Sequence, residues 1–181
     1  MKEFKPLILF LARFLGTYIL LSFIYKLYLD QYIPFNNPDP FTKFTSDTTA
    51  FFLNKIGYIA YSTIANNQPW MHLTLNGKIA SIINEGCNAI SVAIIFVSFI
   101  IAFYTKIKET LLFIIVGLLL LFVMNISRIA MLNYIFRYHY KEYGKIAHDY
   151  FFPAIIYGSI VVLWIVWIKF FVAKKNIKNA K

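Results

Sequence analysis

Four long apolar runs constrain this chain more than any other feature of its sequence. They cover residues 7–29, 88–104, 110–132 and 150–170, and lysines stand close to at least one end of each run. A helix rises about 1.5 Å per residue, so runs of this length approach or exceed a hydrocarbon core of roughly 30 Å. The chain is 60% hydrophobic, which is more apolar than a soluble domain. We therefore predict an all-α membrane protein, a multi-pass transmembrane helical bundle of four to five spans that forms a single domain over residues 1–181.

The segment between the first and second runs is more polar and predicts two further features. Residues 44–65 are moderately apolar and predict a helix, which either lies in the membrane interface or spans the membrane. Asn76-Gly77 stands between two short strand-like stretches, and both residues accept a positive φ. We therefore predict a small extracytoplasmic hairpin that leads the chain to Glu85, Gly86 and Cys87.

The distribution of charge predicts the orientation in the membrane. Segment 30–86 carries four acidic and three basic residues, whereas the N-terminus, the loop around Lys106 and Lys108, and the C-terminal tail are basic. The positive-inside rule then places both termini in the cytoplasm and segment 30–86 outside a bacterial inner membrane. Loop 137–149 disagrees mildly, since it is basic and must lie outside. The net charge of +10 is concentrated at cytoplasmic ends and predicts no nucleic-acid partner.

Three chemically capable side chains stand at the same end of successive apolar runs. Cys87 lies 19 residues before Lys106, Arg128 lies 20 residues after Lys108, and His148 lies 21 residues before Lys169. If the runs alternate in direction, these separations place the three side chains at one membrane face, about 30 Å from the cytoplasmic lysines. The sequence therefore predicts that a thiol, a guanidinium and an imidazole meet on the outer side.

Each of these residues also has a simpler interpretation when taken alone. A free cysteine beside an apolar run usually packs as a small hydrophobe. Arg128 could extend to the nearby outer surface, although an arginine in an apolar helix is functional by default. His148 could be only an interfacial residue; His139 is the competing imidazole, and His72 is expected on the hairpin surface.

Taken together, the three side chains predict covalent acyl transfer. The Cys87 thiolate would attack a peptide carbonyl, His148 would protonate the leaving amine, and Arg128 would stabilise the oxyanion or orient the substrate. The positive end of a following helix would favour the thiolate, and Gly86 would permit close approach of a substrate. Asn125 lies one turn before Arg128 and could bond to the guanidinium or to a substrate carbonyl.

The sequence predicts neither a metal nor another cofactor. With one cysteine, the chain has no internal disulfide and no cysteine zinc site. Its three histidines lack the spacing of a helical metal site, and its carboxylates are scattered.

The order of these motifs resembles the exosortase/archaeosortase family over residues 70–165. The matching pieces are Glu85-Gly86-Cys87-Asn88, then Asn125-Ile126-Ser127-Arg128-Ile129, then His148 with Tyr157-Gly158 downstream. The resemblance implies a multi-pass membrane cysteine protease or transpeptidase with Cys87 as nucleophile, Arg128 as the oxyanion or substrate arginine, and His148 as acid–base. Asn125, Gly86 and Glu85 would support them. Many members have Cys-Ser-Gly, whereas this chain has Cys-Asn-Ala.

The same resemblance implies the substrates. These are exported proteins with a carboxy-terminal sorting signal, made of a short motif, a membrane helix and a basic tail. Cleavage would take place at the outer face of the inner membrane, just outside the bilayer, and membrane lipid would surround the protein. The thioester would pass to an amine on a surface glycan or lipid acceptor, or to water.

Two alternatives of other classes stay open at this stage. The chain could be a non-catalytic membrane assembly or transport subunit in which Arg128 is a structural charge. It could also be a lipid or glycan acyltransferase that uses the same thiol.

Overall fold

The fold is a helical bundle with a small sheet at one end. A computed structural model describes residues 4–139 and 143–173. The helices are α1 (Lys5–Leu29), α2 (Pro40–Lys55), α3 (Ile90–Ala102), α4 (Ile107–Tyr138) and α5 (Phe152–Trp167), and the strands are β1 (Ala60–Ile64), β2 (Met71–Leu75) and β3 (Lys78–Ile83). Short π-helical segments, Ala147–Phe151 and Ile168–Val172, extend α5 at both ends.

Three helices of the described residues are long and apolar enough to cross a membrane. They are Pro6–Phe35, Ile107–Tyr138 and Ala147–Val172, and they coincide with three of the four predicted spans. The remaining run, 88–104, forms only the 13-residue helix α3, which is about 20 Å long and shorter than a typical hydrocarbon core. A helical membrane protein is thus supported, whereas the count of four to five spans stays a prediction.

The short helix α3 packs inside the bundle against α1, α4 and α5. The ring of Phe96 is fully buried, and it occupies the space over Gly117 so closely that a Cβ there would lie 2.3 Å from a ring carbon. Glycine therefore permits the approach of α3 to α4. At the other end, the indole of Trp167 donates a hydrogen bond of 3.2 Å to the carbonyl of Phe103, so that a side chain of α5 satisfies a backbone group that the end of α3 leaves open.

The predicted helix over 44–65 is wrong in its second half. Helix α2 begins after Asp39, whose carboxylate accepts hydrogen bonds from the first backbone N–H groups, and it ends at Lys55. Gly57 follows with φ of +97°, which breaks the helix, and 60–64 is strand β1. The side chain of Asn54 then bonds to both the N–H and the C=O of Ala60. Local pattern alone missed this strand because it is stabilised by pairing with β2 and by Asn54.

The three strands form one antiparallel sheet in the order β1-β2-β3. Strands β2 and β3 are joined by Asn76 and Gly77, with φ of 47° and 76°, as the turn residues predict. A bulge at Ala80 interrupts the register of β2 with β3. One face of the sheet packs on α2 and α4 through a shared buried cluster whose members include Leu53, Met71, Leu73, Leu75 and Ile129.

Candidate active site

The candidate nucleophile lies in a short turn between the sheet and the bundle. Glu85–Cys87 forms one 3₁₀ turn, in which Asn84 accepts hydrogen bonds from Gly86 N–H at 3.1 Å and, through its carbonyl, from Cys87 N–H at 2.9 Å. Helix α3 begins only at Ile90. Cys87 therefore precedes the first turn of that helix, and the effect of the helix dipole on the thiol stays a prediction. The thiol is free and half-buried.

The residue after the thiol is held by a buried polar network that sequence analysis did not identify. Asn88 is almost fully buried, and its amide donates to Thr42 Oγ1 at 3.0 Å and to the Tyr25 hydroxyl at 3.1 Å. Thr42 in turn bonds to the carboxylate of Asp39, which also accepts from the Tyr28 hydroxyl. The network therefore ties α1 and α2 to the Cys87 turn. Its only sequence signal is the presence of polar residues in or beside apolar runs.

Three hydrogen bonds align β3 and the Cys87 turn with α4. The side chains of Asn76 and Tyr138 are 2.6 Å apart, those of Ser81 and Asn133 are 3.0 Å apart, and Asn125 donates to the Cys87 carbonyl at 2.8 Å. The chain from 76 to 87 thus runs antiparallel to α4. Asn125 is fully buried and holds the backbone of Cys87, rather than the guanidinium as sequence analysis considered.

Arg128 lies on α4 about one turn after Asn125. Its Nε is buried and has no hydrogen-bond partner in residues 4–139 and 143–173. A buried arginine nitrogen without a partner is costly, so this position is not one that packing alone favours.

His148 lies in the π-helical turn Ala147–Phe151 that leads into α5. Pro153 has no N–H to donate to the preceding turn, which accounts for the irregular hydrogen bonding there. Nδ1 of His148 is 2.9 Å from an Asp149 carboxylate oxygen, and its ring is 6.1 Å from that of Phe136. The carboxylate orients the imidazole through Nδ1, so that Asp149 does not occupy Nε2.

One cavity of about 640 Å³ brings these side chains together. Cys87, Arg128 and His148 all line it, and so do Gly86 and residues 79–83 of β3. Apolar side chains of α4 and the start of α5 form another part of its wall: Ile129, Leu132, Phe136, Phe152 and Pro153. Glu85 and Asn125 stand beside the cavity and do not line it.

The two other histidines lie elsewhere. His72 lines a separate depression at the open end of the sheet, with Trp70 and Ile82. His139 ends α4, where its ring is near those of Tyr134 and Tyr143. Over the residues that the structure describes, no three His, Cys, Asp or Glu side chains are grouped to hold a metal ion.

Comparison of the whole sequence with known protein families gives a match. A profile of the transmembrane exosortase family matches residues 7–171, which is most of the sequence. The chain belongs to the transmembrane exosortase family. Exosortases are cysteine transpeptidases of membranes, so this activity is supported at the level of the family. Neither a curated protein nor a solved structure matches the chain.

This exosortase-family chain departs from the common Cys-Ser-Gly pattern at a strained position. Ala89, two residues after Cys87, has φ of +65°. A residue with a Cβ in this left-handed region is destabilised by roughly 1–2 kcal/mol, whereas glycine is not. The backbone thus explains why glycine suits this position, and it locates stored strain beside the candidate nucleophile.

Replacing Ala89 with glycine is expected to stabilise the protein by about 1 kcal/mol, because the strain is removed. The measurement is the thermal unfolding midpoint of the purified protein in detergent. Ala93→Gly is the matched control: Ala93 lies inside α3, where glycine should lower stability by about 0.5–1 kcal/mol. Equal destabilisation by both substitutions would contradict the assignment of strain to Ala89.

Proposed function

We propose that this chain is a membrane-embedded cysteine protease and transpeptidase that cleaves the carboxy-terminal sorting signals of exported proteins. Cys87 is the nucleophile, Arg128 stabilises the oxyanion or orients the substrate, and His148 is the acid–base. The observation that carries the proposal is the single cavity that all three side chains line. The family membership supports the class of reaction.

The reaction proceeds through a thioester. The Cys87 thiolate adds to the scissile carbonyl carbon, and the oxyanion that forms is stabilised by the Arg128 guanidinium. When the C–N bond breaks, His148 gives its proton to the leaving amine, and the acyl group stays on sulfur. An amine acceptor on a surface glycan or lipid, or water, then loses a proton to His148 and attacks the thioester carbonyl. The Cys87 thiolate leaves, which restores the thiolate and the protonated imidazole for the next turnover.

The substrate class follows from where the cavity lies relative to the spans. A sorting signal that contains a membrane helix holds its scissile bond just outside the hydrocarbon core. Cys87 precedes α3, Arg128 is near the C-terminal end of α4, and His148 precedes α5, so the cavity lies at the same end of all three helices. With both termini in the cytoplasm, as the basic ends predict, this end faces outward from the inner membrane.

Trapping of the acyl-enzyme is the experiment that tests this function. The probe is a secreted reporter that ends in a short motif, an apolar helix and a basic tail, taken from an exported protein of the same organism. We expect a covalent adduct between the reporter fragment and wild-type protein that neutral hydroxylamine releases, as it does thioesters. Cys87→Ala should form no adduct and leave the reporter uncut at normal expression.

Other outcomes of this experiment would contradict the proposal. A fatty-acyl group on Cys87 instead of a peptide would indicate a lipid acyltransferase. Unchanged processing in Cys87→Ala, or no cleavage of any such reporter by wild-type protein, would indicate a non-catalytic subunit.

A further inference from the structure

Strand β3 is an edge strand of the sheet, and it lines the cavity that holds Cys87. The sheet order is β1-β2-β3, so β3 pairs with β2 on one side only. Five consecutive residues, 79–83, line the cavity. Side chains of a strand alternate between the two faces, so a run of consecutive lining residues means that the backbone itself borders the cavity.

The register identifies which backbone groups face away from β2. In an antiparallel pair, residues alternate between those that exchange hydrogen bonds with the partner and those that do not. Leu75 and Lys78 flank a two-residue turn and exchange hydrogen bonds. Ile79 and, after the bulge, Ile82 therefore direct their N–H and C=O groups away from β2. Apart from the pairing with β2, no hydrogen bond to the backbone of Ile79 or Ile82 is formed within the part of the chain that the structure describes.

The opposite edge of the sheet is treated differently. At Ala60 of β1, the Asn54 side chain accepts from the N–H at 3.0 Å and donates to the C=O at 2.6 Å, which blocks the addition of another strand at that position. Proteins commonly protect edges in such ways because a free edge binds other extended chains. The edge beside the candidate nucleophile carries the bulge at Ala80, but within the described residues no side chain bonds to the backbone of Ile79 or Ile82 as Asn54 does to that of Ala60.

We propose that β3 binds the substrate as an added strand, with the residues before the scissile bond paired through their backbone to Ile79 and Ile82. This inference rests on the proposed function. Strand addition binds through main-chain hydrogen bonds, and an extended peptide is the form in which a scissile carbonyl is accessible to a thiol. The added strand would continue along the turn to Gly86 and deliver the carbonyl to Cys87.

The direction of β3 fits a substrate that descends into the membrane. The contacts with α4 move from Tyr138 near the hairpin to Asn125 at Cys87, so the chain runs along α4 from its C-terminal end toward its middle as it leads to the thiol. An exported protein followed by its own membrane helix would pass through the site in the same direction. The added strand is therefore parallel to β3.

A tethered peptide tests the proposal without knowledge of the natural motif. The probe is a peptide of alternating threonine and valine that ends in an activated cysteine disulfide, which can couple only to Cys87, the single cysteine. The readout is hydrogen–deuterium exchange with residue-level fragmentation. We expect exchange at the Ile79 and Ile82 amides to slow by about tenfold or more, as for amides that gain a hydrogen bond, and exchange at Ile64 on the opposite edge to stay unchanged.

Peptide probes that are N-methylated at single positions test for strand pairing. If the peptide pairs with β3, the protection of the Ile79 and Ile82 amides should depend on whether the methylated amide is at an odd or an even position of the peptide. Methylation of the peptide amides that point toward β3 should abolish the protection, because those amides donate to it. Methylation of the intervening amides, which point away from β3, should preserve the protection. Tethering without protection of Ile79 and Ile82 would overturn the proposal. Failure of the peptide to couple while a small thiol reagent still reacts with Cys87 would also overturn it.

Proline substitutions test the same edge during turnover. Ile82→Pro removes an N–H that β2 does not use and should raise the KM of the reporter by about five- to tenfold. Ile64→Pro is the matched control on the edge formed by β1 and should leave KM unchanged. Protection without any trapped acyl-enzyme would reject the proposed function and keep the strand site, whereas acyl-enzyme formation without protection would reject only the strand site.

Discussion

Replacing Arg128 with glutamine is expected to lower the kcat of reporter cleavage by about 10²–10³-fold, the usual effect of removing one oxyanion donor. The guanidinium lines the cavity with the thiol and has a buried Nε without a hydrogen-bond partner among the described residues. A guanidinium that lines the cavity would stabilise the charge that develops on the scissile carbonyl oxygen. The measurement is single-turnover cleavage of the reporter in membranes, with the unfolding midpoint of each variant determined in parallel.

Two further substitutions separate this role from a structural one. Arg128→Lys keeps the charge but loses the planar donor geometry, so it should recover part of the lost rate. Arg13→Gln removes an exposed arginine of α1, outside the cavity, and should leave kcat unchanged. If Arg128→Gln unfolded the protein or left kcat unaltered, the arginine would be a structural charge, as in a non-catalytic subunit.

Replacing His148 with alanine is expected to lower the cleavage rate by about 10²–10⁴-fold, because the leaving amine loses its proton donor. His148 lines the cavity, and its Nδ1 is held at 2.9 Å from Asp149. The measurement is the rate of release of the cleaved membrane helix from the reporter. Alkylation of Cys87 by a small thiol reagent, measured on the same sample, reports whether the cavity is intact.

His139→Ala is the matched control for this prediction. His139 ends α4 near Tyr134 and Tyr143 and does not line the cavity, so we expect most of the activity to remain. Loss of processing in His139→Ala with activity kept in His148→Ala would reverse the assignment of the acid–base.

The membrane class and the identity of the three cavity residues could be predicted because both depend on local composition. A run of apolar residues long enough to cross a bilayer is stable as a helix in the bilayer whatever its sequence neighbours are. The lysines at its end mark the membrane surface, from which the position of other residues along the helix can be counted. Counting from those lysines brought Cys87, Arg128 and His148 to one level, and one cavity contains all three. Asn76-Gly77 likewise determines its turn through the backbone freedom of two residues.

The features that depend on distant partners could not be predicted in this way. Strand β1 exists because β2 pairs with it and Asn54 bonds to its edge, so a helix was predicted instead. Asn88 is tied to Tyr25 and Thr42, 63 and 46 residues away. Asn125 bonds to the Cys87 backbone and not to the arginine one turn along its own helix.

Local chemistry thus predicted that three chemically capable side chains lie at one level of the helices, because hydrophobic length and charge act residue by residue. Packing alone decided that α3 is short, that the thiol lies in a separate turn before it, and that β3 presents an unpaired edge beside that thiol. These outcomes depend on which backbone and side-chain groups pair with distant parts of the chain. Such pairs form only when all the elements are assembled, so they cannot be read from the local sequence.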